Sequence, residues 1–221
     1  MKLNFQFIFI LSIILSQDSV FTAEAEYPFT HGDASSFWLS KTPVINPISQ
    51  NRIFLESGLS FTRSEDQHYW VYPNIDCGLR ITNNLVCTAK IFGFSSYNQS
   101  PQILGSGFQY FFGNTDTLNW ITSIQRIDIK GLKGFSLTSL TVDIRKWINW
   151  EFAQFRLGVG SNFYKKNSYQ DIITNKINTN GQLNFVGLDI ILSILELKFG
   201  FNTHVNYNRI MGSIFIQKEF H

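Results

Sequence analysis

The chain has 221 residues, a net charge of +2, 15% charged residues and 16% aromatic residues. Near-neutrality excludes a polyanion binder held by bulk charge, and the charged fraction lies far below the ~25% of an average soluble domain. A chain so poor in charge and so rich in Phe, Tyr and Trp must place more apolar surface than a soluble shell can hide.

The N-terminus opens with Met1-Lys2 and an apolar run from Phe5 to Leu15, and a polar stretch then leads to Ala23-Glu24-Ala25. The run is shorter than the ~20 apolar residues of a spanning helix, and Ala-x-Ala suits signal peptidase. Residues 1–25 therefore read as a secretory signal peptide cleaved after Ala25. No cysteine follows to carry a lipid. Residues 26–50 contain Pro28, Pro43 and Pro47 around Phe37-Trp38-Leu39. They read as an irregular periplasmic lead-in, or as a plug whose Trp38 cluster inserts into the mouth of the domain that follows; the residues leave the choice open.

From residue 51 onward the pattern changes to period two. Segments of about ten to fourteen residues alternate apolar with polar and are separated by Asn, Gly, Asp, Pro and Ser clusters. The expected strands cover 52–63, 68–81, 85–96, 101–113, 118–130, 135–147, 150–164, 182–192, 194–206 and 209–220. In the second, Ile75, Cys77, Leu79 and Ile81 oppose Asn74, Asp76, Gly78 and Arg80; in the ninth, Leu197, Phe199, Phe201 and Val205 oppose Lys198, Gly200, Asn202 and His204. A second long apolar helix is absent, so a membrane reading must use strands, closed so that no edge remains. The fold expected is all-β: a closed antiparallel up-and-down transmembrane β-barrel of about ten strands over 51–221.

Alternation alone does not say which face is outside. A soluble lipocalin-like barrel turns its apolar face inward, and a membrane barrel turns it outward. Three features favour the membrane. Ten strands' worth of Leu, Ile and Phe would overfill a small lumen; the polar faces are rich in Gly and Ser; and aromatics gather at strand ends, among them Tyr110 to Phe112, Trp147, Trp150, Phe163-Tyr164 and Tyr207. With both chain ends on the periplasmic side, the longest connection, Lys165 to Gly181, faces outward, and the connections after even strands are short.

The last strand ends with Ile210, Gly212, Ile214, Ile216 and Phe220 on one face, with Lys218 and His221 interrupting the pattern. This resembles the terminal signal of small bacterial outer-membrane β-barrel proteins in general. The resemblance implies an outer-membrane location, lipid contact, and recognition of the C-terminal strand by the barrel-assembly machinery.

The candidate site residues are the charges assigned to the lumen face. The acids are Glu56, Asp76, Asp128, Asp143, Asp189 and Glu196; the bases are Arg80, Lys90, Arg126, Arg145, Arg156 and Lys198. Balanced charges in a narrow interior imply mutual neutralisation, because an unpaired buried charge is costly. The leading expectation is a salt-bridged, filled lumen in a structural or surface-exposed protein. The alternatives are a narrow porin-like channel and a membrane-embedded lipid-modifying enzyme. His68 and His204 are the residues for the enzyme reading, with Ser64, Glu65 and Asp66 nearby, but no metal-ligand spacing and no catalytic set is visible. No cofactor and no nucleic-acid partner is expected. A three-residue turn at Thr82–Asn84 puts Cys77 opposite Ala89 and Cys87 opposite Leu79, diagonal neighbours with poor disulfide geometry.

Overall fold

The computed structural model describes residues 28–63, 69–93, 100–114, 117–132, 135–169 and 177–221. The signal-peptide expectation and His68, with Ser64 to Asp66, fall outside these residues.

The chain forms one helix, α1 (Pro28–Leu39), followed by ten strands: β1 (Ile53–Arg63), β2 (Tyr69–Thr82), β3 (Leu85–Gly93), β4 (Gln102–Asn114), β5 (Thr117–Lys130), β6 (Phe135–Asn149), β7 (Gln154–Ser168), β8 (Ile177–Ile194), β9 (Leu197–Asn206) and β10 (Arg209–Phe220). Each strand pairs antiparallel with its sequence neighbour, and β1 pairs with β10 to close the barrel. Closure satisfies every strand edge, which the apolar exterior requires. The expected strands are present, with β7 shifted four residues along the chain and β8 extended at both ends relative to the sequence expectation. Ser168 still pairs with Ile177, so much of the expected Lys165–Gly181 loop is sheet. Pro73, which cannot donate to a ladder, sits where β2 pairs only with β1.

The end of the barrel that holds the start of β1 and the end of β10 is called the lower end. In the lower and middle barrel, outward side chains are apolar and exposed, including Leu79, Ile91, Phe108, Ile124, Val142, Ile144, Leu157, Val159, Leu192 and Ile214. On β7 this outer series runs from Phe155 to Phe163, and on β8 from Val186 to Ile194. Nine strand residues tilted at ~40° span about 24 Å, close to the ~25 Å apolar band of outer-membrane barrels. At the lower edge Trp120 carries the Lys146 ammonium 5.7 Å from its ring centre, an arrangement suited to an interface.

Above this belt, on β5 to β8, the sidedness inverts. The outer positions become Arg126, Asp128, Ser136, Thr138, Lys165, Gln182 and Asn184, while the inner ones become Ile127, Ile129, Phe135 and Leu137. Arg126 and Asp128, expected in the lumen, are therefore on the outside: Arg126 leaves 67% of its side chain exposed and lies 3.6 Å from Asp128. The upper wall formed by β5 to β8 has the polarity of a soluble barrel and flanks an apolar chamber.

That chamber is filled from within. The 26–50 segment is not irregular throughout: α1 occupies the upper lumen, and Ala34, Phe37, Trp38 and Leu39 are buried against Tyr72, Phe92, Ile129, Phe135 and Leu137. After a turn at Ser40 that closes α1, the chain descends without regular secondary structure. Val44 and Ile45 join a lower apolar cluster with Phe54, Val86, Phe111, Trp147, Ile191 and Phe215. Trp147 and Phe111, assigned to interfacial girdles from the sequence, point into the lumen instead. Space for the segment comes partly from small wall residues; the Phe215 ring lies over Gly200, its β9 partner, where a Cβ would clash at 2.0 Å.

Candidate functional site

The site is the interface between the barrel wall and residues 34–47. Strand alternation aims Glu56 of β1, Asp76 of β2 and Lys90 of β3 at one level of the lumen, where Glu56 faces Asp76 across the β1–β2 ladder and Asp76 faces Lys90 across β2–β3. Lys41 descends into this group from the segment. Its ammonium bonds Glu56 and lies 3.4 Å from Asp76, while Lys90 lies 2.8 Å from Asp76. All four side chains are at most 3% exposed, so the two acids and two bases form a closed, neutral set. Glu56 also accepts the Val44 N–H at 3.0 Å, fixing the backbone just beyond Lys41.

A second cluster lies across the lumen. Arg145 on β6 donates to Asp143 at 3.1 Å and to Asp189 at 2.8 Å, and Arg156 on β7 also donates to Asp189. Arg145 approaches His204 Nε2 at 2.8 Å. A guanidinium can only donate, so Nε2 accepts and the imidazole is neutral with its proton on Nδ1. Nδ1 then donates to Ser40 Oγ at 3.0 Å, and Ser40 donates to the Phe37 carbonyl at 2.6 Å. The ring stacks on Phe185 at 4.3 Å. His204 thus ties the wall to the segment, with Nε2 bonded to Arg145 of β6 and Nδ1 to Ser40. Thr42 completes the contact by donating to Asp143 at 3.1 Å.

Most of the remaining wall contacts go to the segment's main chain. Asn162 donates to Ser36 O, Gln125 to Leu39 O and Lys41 O, Arg156 to Thr42 O and Pro43 O, and Gln109 to Pro43 O. Below them Gln217 donates to Val44 O at 2.6 Å, and Arg80 donates to Asn46 O at 2.8 Å and to Pro47 O at 3.4 Å. The segment matches a wall of donors, because Pro43 and Pro47 carry no N–H that would need an acceptor. Higher up, the Trp38 indole stacks on Tyr72 with ring centres 4.6 Å apart and donates to Asn74 at 2.8 Å.

The structure thus brings Glu56, Asp76, Lys90, Asp143, Arg145, Arg156 and Asp189 together around the segment, with Arg80 below them. Lys198 lies at the lower mouth and pairs with Glu219, which also accepts from Ser49 at 2.6 Å. Glu196 is a further correction: it sits in the β8–β9 turn, beside Leu195 with its φ of 59°, and reaches only Lys218 at 3.5 Å. Sequence reasoning missed Lys41 and Glu219. Lys41 is the single charge between Ala34 and Gln50, and that isolation within an apolar, Pro-containing stretch was the available signal. Cys77 and Cys87 are free thiols in the diagonal register expected.

The fold and its interior define a class, the closed β-barrel with an internal N-terminal plug. No protein-family model matches the chain, and no curated protein matches it. Among solved structures it is similar to the N-terminal β-barrel domain of Pseudomonas aeruginosa OprF (11% identity, 77% of this chain, 98% of that one, TM-score 0.34). It is also similar to Neisserial surface protein A (8% identity, 78% and 98%, TM-score 0.32). A third is the translocator domain of the autotransporter NalP from Neisseria meningitidis (10% identity, 94% and 99%, TM-score 0.39).

Proposed function

We propose that the protein is an outer-membrane barrel sealed by its own N-terminal segment, serving as a wall or surface component and not as an open pore. The observation that carries this reading is the complete burial of Phe37, Trp38, Leu39 and Lys41 inside the lumen, each 0% exposed. The apolar exterior supports insertion in a bilayer, with the C-terminal strand as the element recognised during assembly. The inverted upper wall supports a rim that stands clear of the membrane and is closed by α1, presenting polar outer faces and hairpins to the surroundings.

The test is conductance of the purified full-length protein in a planar bilayer, paired with gel mobility of unboiled and boiled samples after envelope fractionation. A sealed barrel is electrically silent and shows a heat-dependent shift in the outer-membrane fraction. Stable single-channel steps from unmodified protein would instead support the porin-like reading, and recovery from the soluble periplasm would remove the membrane reading altogether.

A further inference from the structure

We infer that the lumen is a binding site for a polypeptide, of which residues 34–47, the end of α1 and the irregular chain that follows it, are the resident ligand, and that a chain of the same kind is accepted in trans. The inference rests on the plug reading above. Its support is the chemistry of the contacts. An ordinary core is specified by side chains packing on side chains, but here the wall's Gln and Arg groups also hold successive main-chain carbonyls, from Leu39 O at the end of α1 down to Pro47 O. Those acceptors are present in any polypeptide. A proline-bearing extended chain suits them best, since it offers carbonyls with fewer donors and little conformational freedom to lose.

Beyond the apolar packing of Phe37, Leu39, Val44 and Ile45 and the hydroxyl contacts of Ser40 and Thr42, selectivity is sharpest at two places. The Glu56–Asp76 pair demands a cation at the Lys41 position, because without one two buried carboxylates share Lys90 alone. The Tyr72–Asn74 slot demands a flat ring with an N–H, three residues earlier, as Trp38 supplies. The ligand class is therefore a peptide with Trp in a closing helical turn, then Lys three residues on, then proline. The route is present in the fold: successive contacts descend from Ser36 at Asn162 to Asn46 at Arg80, so the segment runs the length of the lumen in one direction and leaves at the lower mouth near exposed Ile48 and Gln50.

The experiment uses the full chain with a protease recognition sequence inserted after Gln50. The protein is folded and inserted in lipid vesicles, then cut, and a fluorescein-labelled synthetic peptide of residues 34–50 is added. Uptake, read by anisotropy and reversed by unlabelled peptide, is the expected result. A Lys41→Met peptide should compete about 100-fold less well, given the cost of unpaired buried carboxylates. A peptide with an ester in place of the Val44–Ile45 amide, which weakens the Val44 carbonyl as acceptor, should compete about fivefold less well. These changes leave the barrel unaltered, so misfolding cannot imitate them. No uptake by the cut protein, or uptake indifferent to Lys41→Met, overturns the inference. Conductance before cutting would overturn the plug reading itself; silence before cutting with no exchange afterwards would overturn only this inference.

Discussion

Replacing Lys41 with methionine keeps the length of the side chain and removes its charge. In the native site two acids, Glu56 and Asp76, balance two bases, Lys41 and Lys90. After Lys41→Met the site carries a net charge of −1; Glu56 retains only the Val44 N–H and Asp76 retains Lys90. Removing one partner from a buried ion pair costs about 3–5 kcal/mol, a factor of roughly 100 to 1000 or more in the docking equilibrium of the plug. Urea unfolding in lipid vesicles, followed by tryptophan fluorescence, reads this as a lowered midpoint, and bilayer recordings read it as intermittent opening. The double variant Lys41→Met/Glu56→Gln returns the site to neutrality and should recover about half of the loss, which identifies the pair as the cause. If Lys41→Met unfolds within about 0.5 kcal/mol of the native protein and stays silent, the electrostatic account of plug retention is wrong.

Further outcomes follow from the inverted wall and the second cluster. Arg145→Ala, which leaves Asp143 in the lumen without a cation and Asp189 with Arg156 alone, should destabilise by several kcal/mol, while Arg126→Ala on the outer wall should cost less than about 1 kcal/mol; equal effects in urea unfolding would contradict their opposite placement. Histidine-selective 15N NMR should find His204 protonated on Nδ1 and bare on Nε2, and the reverse tautomer would break the Arg145–His204–Ser40 chain as described. Intact mass under non-reducing conditions should show Cys77 and Cys87 both reduced, with a membrane-permeant maleimide labelling them faster than a charged one; a mass lower by two hydrogen atoms would mean the two strands are bridged.

Period two was legible because each strand faces two different media, and it located all ten strands and even the Cys77–Ala89 and Cys87–Leu79 register. It fails where the media exchange places. On β5 the run Ile124, Arg126, Asp128, Lys130 occupies one outer face, starting in the apolar belt and ending above it, while Ile127 and Ile129 point at α1. Alternation was present throughout β5, but its sign depended on what stood on the other side of the wall. Glu196 was misplaced for a simpler reason, since a chain reversal at Leu195 takes it out of the strand.

The sequence by itself therefore determined the strands, their number and closure, and the balance of charge to be neutralised, because these depend on local periodicity and on the need to pair every edge. Tertiary structure alone decided that residues 34–47 fill the lumen and that Lys41 completes the Glu56–Asp76 site. Those contacts join residues far apart along the chain, Val44 with Gln217 and Ser40 with His204 among them. They exist only after ten strands have closed around an interior that residues 34–47 fill with matching carbonyls and a matching cation.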